Sequence, residues 1–179
     1  LKTLRAVIGT LDPTLQDVRI SKDLKDTFII RRGGTEIIIQ EGRLLNREVL
    51  SSGTADGIDV AMFLAAIIAR ESTFYYCDEH FSYIQSDIEK RIFGIMLDRL
   101  GNNEQLIFTT HNTDMLDLNL PKHSYIFLRK QQEDGIYNVS AISASEVLKR
   151  NTDSIRNAVE NDIFASLPQD SLLDELEMG

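Results

Sequence analysis

Apolar positions along the chain change period several times, and each change marks an element. Leu1, Leu4, Ile8 and Leu11 recur at helical spacing and stop at Asp12-Pro13, because proline disfavours helical backbone in the residue before it. Leu15 to Ile20 alternates and predicts a strand. Thr27-Phe28-Ile29-Ile30-Arg31 and Glu36-Ile37-Ile38-Ile39-Gln40 flank Gly33-Gly34, which is a hairpin signal. The opening part therefore predicts a small antiparallel β piece. From Ala55 to Arg70 the spacing turns helical. Ile58, Met62, Ala65 and Ala69 mark one stripe, and Phe63, Leu64, Ile67 and Ile68 widen it nearly all round, so this helix should be mostly buried.

Phe74-Tyr75-Tyr76-Cys77 is a short, aromatic-rich apolar run that fits a strand buried on both faces, and it ends abruptly in Asp78-Glu79. Ser86-Asp87 caps the next helix, which runs to Leu100 with Ile88, Ile92, Ile95, Met96 and Arg99 at helical spacing; Gly101-Asn102-Asn103 ends it. Gln105-Leu106-Ile107-Phe108 predicts a second buried strand, ending in Thr109-Thr110-His111, with a short helical turn over Thr113 to Leu118. Ser124 to Leu128 predicts a third strand, which Gly135 separates from a hairpin partner at Ile136 to Ile142. Ser145 to Arg150 and Ser154 to Asn161 read as helical, and the tail from Gln169 is acidic. Helices alternating with strands predict an α/β fold with a mainly parallel sheet flanked by helices. Right-handed crossovers then set the strands ending at Asp78 and His111 side by side, with Glu79 and His111 facing one crevice.

Composition narrows the function classes. The chain has 179 residues, 42% hydrophobic and 26% charged, which suits one domain with a real core and excludes a disordered chain. A net charge of −9 and a pI near 4.8 argue against a general nucleic-acid surface. A local basic patch stays open, with Arg43 and Arg47 as its best candidates. The single cysteine, Cys77, lies in an apolar run. It reads as a buried thiol in a reducing, cytoplasmic setting with no disulfide framework. No signal peptide is visible, and the longest apolar stretch, Val60 to Ala69, is too short to span a membrane, so no membrane partner is expected.

Three short stretches carry candidate chemistry. Acids at the carboxyl end of a buried strand stand where open α/β sheets bind ligands. Asp78 is a candidate Mg²⁺ ligand, directly or through water, and Glu79 a candidate base for an attacking water; acids without any such role end strands too. In Leu50-Ser51-Ser52-Gly53-Thr54, Ser51 can cap the following helix and Gly53 lets backbone approach a ligand closely. Free N–H groups at that helix start suit a phosphate, although a plain serine cap accounts for the same residues. His111 closes the set from the neighbouring strand.

In this order and spacing the three stretches resemble the nucleotide-binding domains of ABC-type ATPases, and among them the SMC-like AAA-type ATP-binding proteins of bacterial abortive-infection and phage-defence systems. Leu50-Ser51-Ser52-Gly53-Thr54 is similar to their signature motif and Phe74 to Glu79 to their Walker B strand. Thr109-Thr110-His111-Asn112-Thr113-Asp114-Met115-Leu116 is similar to their switch-histidine segment, and Arg150-Asn151-Thr152 through Phe164-Ala165-Ser166-Leu167-Pro168 to their closing segment. The resemblance covers Leu50 to Pro168 well and the opening β piece weakly. It implies ATP and Mg²⁺ as cofactors, with Asp78 organising Mg²⁺, Glu79 polarising the water that attacks the γ-phosphate and His111 bonding that phosphate or water. It further implies that Ser51, Ser52 and Gly53 meet ATP held by a second subunit, and that Asp87, in the Tyr83 to Asp87 turn, stands where the D-loop crosses the dimer interface. That turn departs from the family pattern, with Tyr83-Ile84-Gln85-Ser86 in place of Ser-Leu-His-Pro, and His80 is unusual after the two acids.

No Gly-x-x-x-x-Gly-Lys-[Ser/Thr] occurs anywhere in the chain. Without that phosphate cradle the chain should not hold MgATP on its own. Together with a start inside a helix, this predicts the C-terminal part of an ABC-type ATPase domain over residues 1–168, with a β-rich piece at 1–49, the signature, Walker B and switch core at 50–130, and an acidic tail at 169–179. The expected partners are the N-terminal P-loop portion of the same ATPase and a second copy in a homodimer closed by ATP. An effector nuclease or toxin belongs with this reading, and nucleic acid stays open. Two alternatives remain: a metal-dependent nuclease using Asp78, Glu79 and His111 with Asp114, and a non-catalytic dimerisation module.

Overall fold

The opening helix stops where proline requires. In the computed structural model, which describes residues 1–133, 136–150 and 152–166, α1 (Lys2–Leu11) turns Leu4, Val7 and Ile8 inward and ends at Asp12 in extended backbone. Four antiparallel strands follow in the order β1 (Leu15–Ile20), β2 (Thr27–Arg32), β3 (Thr35–Gln40) and β4 (Arg43–Leu44). Arg32 pairs with Thr35 across Gly33-Gly34, and Gly33 takes the left-handed φ of +57° that closes this hairpin. β1 is irregular between Gln16 and Arg19, where Asp17 has φ +53°. Arg5 Nε donates to the Val18 carbonyl at 2.9 Å and ties α1 to that irregular stretch. Leu15, Val18, Ile30, Ile37 and Ile39 point inward from this sheet.

α2 (Ser52–Ala69) supplies the centre of the first core. Its buried face follows Thr54, Ile58, Ala61, Leu64 and Ile67 rather than Ile58, Met62, Ala65 and Ala69. Ile68 is 42% exposed, so the helix is buried on one side and not nearly all round. α1 crosses it so closely that a Cβ on Gly57 would stand 3.0 Å from Leu11 Cδ1. By length and composition alone α2 would serve as a membrane span; in this fold the apolar residues that make it so are largely core positions. A left-handed Arg70 at φ 55° caps its C-terminus.

β5 (Phe74–Asp78), α3 (Ser86–Arg99) and β6 (Gln105–Thr109) form a β-α-β unit. The two strands pair parallel and in register, from Phe74 opposite Gln105 to Asp78 opposite Thr109. Tyr75 and Cys77 point into the core, while Phe74, Tyr76 and Ile107 stay 50%, 52% and 40% exposed on the other face, so these strands are not buried on both sides. α3 is not capped by Ser86: its N-cap is Gln85, and Ser86 is the first helical residue.

The expected mainly parallel sheet is not what forms. Among the described residues one strand pair is parallel, and the remaining pairings are antiparallel. A parallel pair needs a crossover, and only the segment between β5 and β6 supplies a helical one that brings its strand back alongside. Strands joined by tight turns pair with their sequence neighbours instead. β7 (Ile126–Glu133) accordingly pairs antiparallel with β8 (Ile136–Ser143) and does not extend the parallel pair.

The chain divides into two compact units at Asn112/Thr113. In the second, β7 and β8 precede α4 (Ala144–Val147) and α5 (Ile155–Glu160). Its own core gathers Ala144, Leu148, Ala158, Val159 and Phe164, with Phe164 stacked on Phe127 at 4.0 Å between ring centroids. The expected turn at Gly135 and the acidic tail from Gln169 lie outside the described residues.

The buried face of α2 can be tested directly. Ile67→Ala should lower the unfolding free energy by about 2–5 kcal/mol, the cost of a cavity in a close-packed core. Ile68→Ala, one residue along, should cost less than about 1 kcal/mol. Urea midpoints of the two variants report the difference, and equal losses would mean that the helix buries a different face.

Candidate functional site

The candidate site begins at the carboxyl ends of β5 and β6, where register sets Asp78 opposite Thr109. The Thr109 hydroxyl donates to Asp78 Oδ1 at 2.5 Å. The Glu79 N–H is shared between the Thr109 carbonyl and hydroxyl oxygens, both at 3.2 Å. These bonds hold Glu79 in left-handed backbone, at φ +52°, a conformation that costs a residue with a Cβ about 1–2 kcal/mol. The turn presents the Glu79 carboxylate to the next strand end, and Glu79 Oε1 lies 2.8 Å from His111 Nε2. The imidazole is 86% exposed and the carboxylate 50%, so the pair faces solvent and adds little stability. Tyr76 lies on the same open face; partial desolvation, then the Asp78 charge and a hydrogen bond to it, raise its phenol above the ordinary value. Tyr75 also finds partners, donating to the Ala66 carbonyl at 3.3 Å and accepting from Ser72 N–H at 3.2 Å. Both tyrosine hydroxyls are thus engaged.

Cys77 is fully buried behind this edge, and burial pushes its thiol up to about 12. It is no nucleophile at neutral pH. Phe81, just past the acids, packs on Phe108 at 5.2 Å between ring centroids and anchors the Glu79–Gln85 turn. His80 is exposed.

Ser51 caps α2 as its sequence suggests, and the cap is tied into a polar chain reaching Asp12 that sequence reading did not find. Ser51 accepts the Thr54 N–H at 3.3 Å, as an N-cap does, and its hydroxyl meets the Thr54 hydroxyl at 2.8 Å. Thr54 Oγ1 donates to Asp12 Oδ2 at 3.0 Å, and Asp12 also receives the Thr14 N–H and hydroxyl at 3.0 and 2.6 Å. Burial pushes the Asp12 carboxyl up, but the bonds from Thr14 and Thr54 and the Arg32 charge outweigh it and hold it below its ordinary value. Ser52 is exposed beside this cap. A Cβ on Gly53 would stand 3.5 Å from Tyr83 Cβ, so the helix start lies against the turn that follows the acids. Asp87 is exposed at the first turn of α3 and pairs with Lys90 at 3.3 Å.

One candidate of the sequence fails at this surface. Arg47 belongs to no basic patch with Arg43: its guanidinium bridges Asp59 and Asp56 on α2, at 2.6 and 2.8 Å. The bond to Asp59, against a smaller desolvation effect, raises its pKa and keeps its charge spent on α2. Among the described residues no three His, Cys, Asp or Glu side chains stand as a metal centre. Asp114 pairs with Arg156 at 3.6 Å within the second unit. Asp78 and Glu79 do suit Mg²⁺ of the kind held by one or two carboxylates together with substrate phosphates, because both offer hard oxygens at an open strand end.

Glu89 was missed entirely. It is 2% exposed on the inner face of α3, which runs Glu89, Ile92, Phe93 and Met96 and is rotated from the stripe of Ile88, Ile92 and Ile95. Its spacing of three, four and seven from those apolar residues was the only available signal.

No family model matches the sequence, and no curated protein matches it. Among solved structures the chain is similar to the SMC head bound to the C-terminal winged-helix domain of ScpA, with a TM-score of 0.50 and 16% identity over 82% of this chain and 43% of that one. Its fold is similar to part of an SMC head domain. The chain spans less than half the length of that SMC head. A second solved structure, from work on ATP-driven dimerisation and DNA-stimulated activation of SMC ATPases, aligns with a TM-score of 0.47 and 14% identity over 83% of this chain and 86% of that one. At 16% identity the likeness to the first of these is one of fold alone, and the abortive-infection grouping is not part of it.

Two measurements probe this geometry. Glu79→Val should be less stable than Glu79→Asn by about 1–2 kcal/mol, since a β-branched residue tolerates positive φ worst and asparagine well; equal urea midpoints would mean that the backbone is not held there. Asp12, with its native pKa lowered, contributes stability that is fully present above its ordinary value of 3.8 and is lost as pH falls through the native value. The stability gap between the parent and Asp12→Asn should therefore hold steady above about pH 5 and shrink on acidification; a gap that widens would reverse the sign of the linkage.

Proposed function

We propose that this chain is the C-terminal portion of an SMC-like ATPase domain and that Glu79 is its general base. The observation that carries the reading is the pairing of Glu79 with His111 at 2.8 Å, beside Asp78, at the carboxyl ends of two parallel strands. A carboxylate held in strained backbone at a solvent-open strand end is poorly explained by stability, because the exposed Glu79–His111 contact returns little of what the turn costs. In this reading MgATP, when bound, supplies the phosphoryl group that is cleaved. Asp78 would hold the metal through an oxygen, Glu79 would take the proton from the attacking water, and His111 would donate a hydrogen bond toward the phosphate being transferred. The Thr109 hydroxyl and the Glu79 N–H keep the two carboxylates apart and aimed.

Neither a P-loop nor its lysine occurs in these 179 residues. The phosphate cradle is therefore assigned to an N-terminal P-loop portion of the same ATPase, and this chain by itself should turn over no ATP. Ser51, Ser52 and Gly53 are assigned to ATP held across a homodimer interface, with Asp87 at its edge. For this the Ser51 hydroxyl must exchange its bond to Thr54 for the nucleotide. We place the protein in the cytoplasm, in phage defence of the abortive-infection kind or in another DNA-linked process, where a nuclease or toxin would be the effector that turnover drives.

The test uses the chain together with its P-loop portion. Glu79→Gln should keep ATP binding, form an ATP-dependent dimer in sedimentation and lose turnover by about two to four decades. Adding Ser51→Arg should leave ATP binding to one subunit and abolish the dimer. Parental turnover in Glu79→Gln, or the same ATP-dependent dimer with Ser51→Arg, would sink the reading.

A further inference from the structure

We infer that Glu89 is the positioning residue for His111. Its carboxyl is 2% exposed, and both of its oxygens are taken by the two residues that flank the histidine. Thr110 Oγ1 donates to Glu89 Oε1 at 2.9 Å, and Asn112 Nδ2 donates to Oε2 at 2.5 Å. The Asn112 N–H donates back to the Thr110 hydroxyl at 3.0 Å, so the segment is looped on itself around His111. The Asn112 amide also donates to Ser86 Oγ at 3.0 Å, which adds a second attachment on the first turn of α3. The His111 ring is 86% exposed and meets the Glu79 carboxylate at 2.8 Å. The backbone that carries it into that contact is bolted on either side to one buried carboxyl.

A burial this deep keeps a carboxyl only where hydrogen bonds replace the lost water, so the clamp has a single arrangement and is not interchangeable with a solvated one. α3 also follows directly on the turn that carries Glu79, where Ser82 Oγ donates to the Glu79 carbonyl at 2.8 Å. Both halves of the Glu79–His111 pair are thereby referred to the N-terminal turn of α3. Replacing Glu89 with leucine removes both acceptors and frees the segment. Glutamine keeps the reach and one acceptor for Asn112, and its amide can donate to the Thr110 hydroxyl.

The geometric part is read on this chain alone. With only three histidines, His80, His111 and His123, the imidazole C–H resonances can be assigned. In the parent, Glu79→Gln should shift the His111 resonance; in Glu89→Leu that response should be lost, and in Glu89→Gln it should return. If Glu89→Leu does not fold, Thr110→Val cuts one arm of the clamp and should weaken the same response. An undiminished response in Glu89→Leu, or in Thr110→Val where that variant stands in for it, would overturn the inference.

The part in turnover rests on the ATPase reading above and is measured with the P-loop portion present. Glu89→Leu should lower kcat by about 10- to 100-fold with KM for ATP little changed, the scale of a misplaced group, and should add no further loss once His111→Ala is in place. A loss of equal size in both backgrounds would make Glu89 merely structural. If His111→Ala leaves kcat unchanged, the ATPase reading fails while the resonance experiment still decides the clamp.

Discussion

The in-register parallel pairing of β5 with β6 is the constraint on which the candidate site depends. Register sets Asp78 opposite Thr109 and leaves Glu79 and His111 just beyond, on neighbouring strand ends. A slip of one residue would send every side chain of one strand to the opposite face. Cys77 would leave the core, and the Thr109 hydroxyl would no longer meet Asp78. Buried Tyr75, Cys77 and Phe81 fix that register from inside, so apolar packing and site geometry are here one interaction. The strained Glu79 turn then aims a carboxylate that the flat end of a strand would have pointed elsewhere.

α3 joins the parts. Its inner face packs Ile92, Phe93 and Met96 into the core, and the same face brings Glu89 under the Thr110–Asn112 segment. Its N-terminal turn continues the stretch in which Tyr83 meets the start of α2. One helix therefore touches the Thr110–Asn112 segment directly and the Ser51–Gly53 end through the turn before it. The Asp12–Thr54–Ser51 chain holds the start of α2 from the other side. None of these links spans more than one or two side chains, which suits a site assembled from rigid pieces.

The open face of β5 and β6 carries Phe74, Tyr76 and Ile107 into solvent. A two-stranded sheet is marginal unless something packs on it, and here α2 and α3 supply the cover on one side only. Tyr76 lies beside Asp78 on that face, so the uncovered apolar surface and the candidate chemistry are neighbours.

Local pattern by itself determined much of this protein. The hairpin of β2 and β3, the helix after Ser51, the strands ending at Asp78 and Thr109, and the convergence of Glu79 with His111 all follow from periodicity, turn residues and the order of elements, which act over a few residues or one crossover. Tertiary structure decided the rest. It made the sheets mostly antiparallel, because only one connection carries a crossover helix that returns its strand alongside. It rotated α3 by about one position, so that a charged residue at 89 entered the core in place of Ile95. It spent Arg47 on Asp56 and Asp59, and it joined Asp12 to Thr54. The Glu89, Arg47 and Asp12 contacts each depend on a polar partner outside their own stretch of sequence. Hydrophobic period tells which side of a helix is apolar on average; it cannot tell which glutamate on that side will find a threonine and an asparagine waiting, because that bond exists only once β6 has paired with β5.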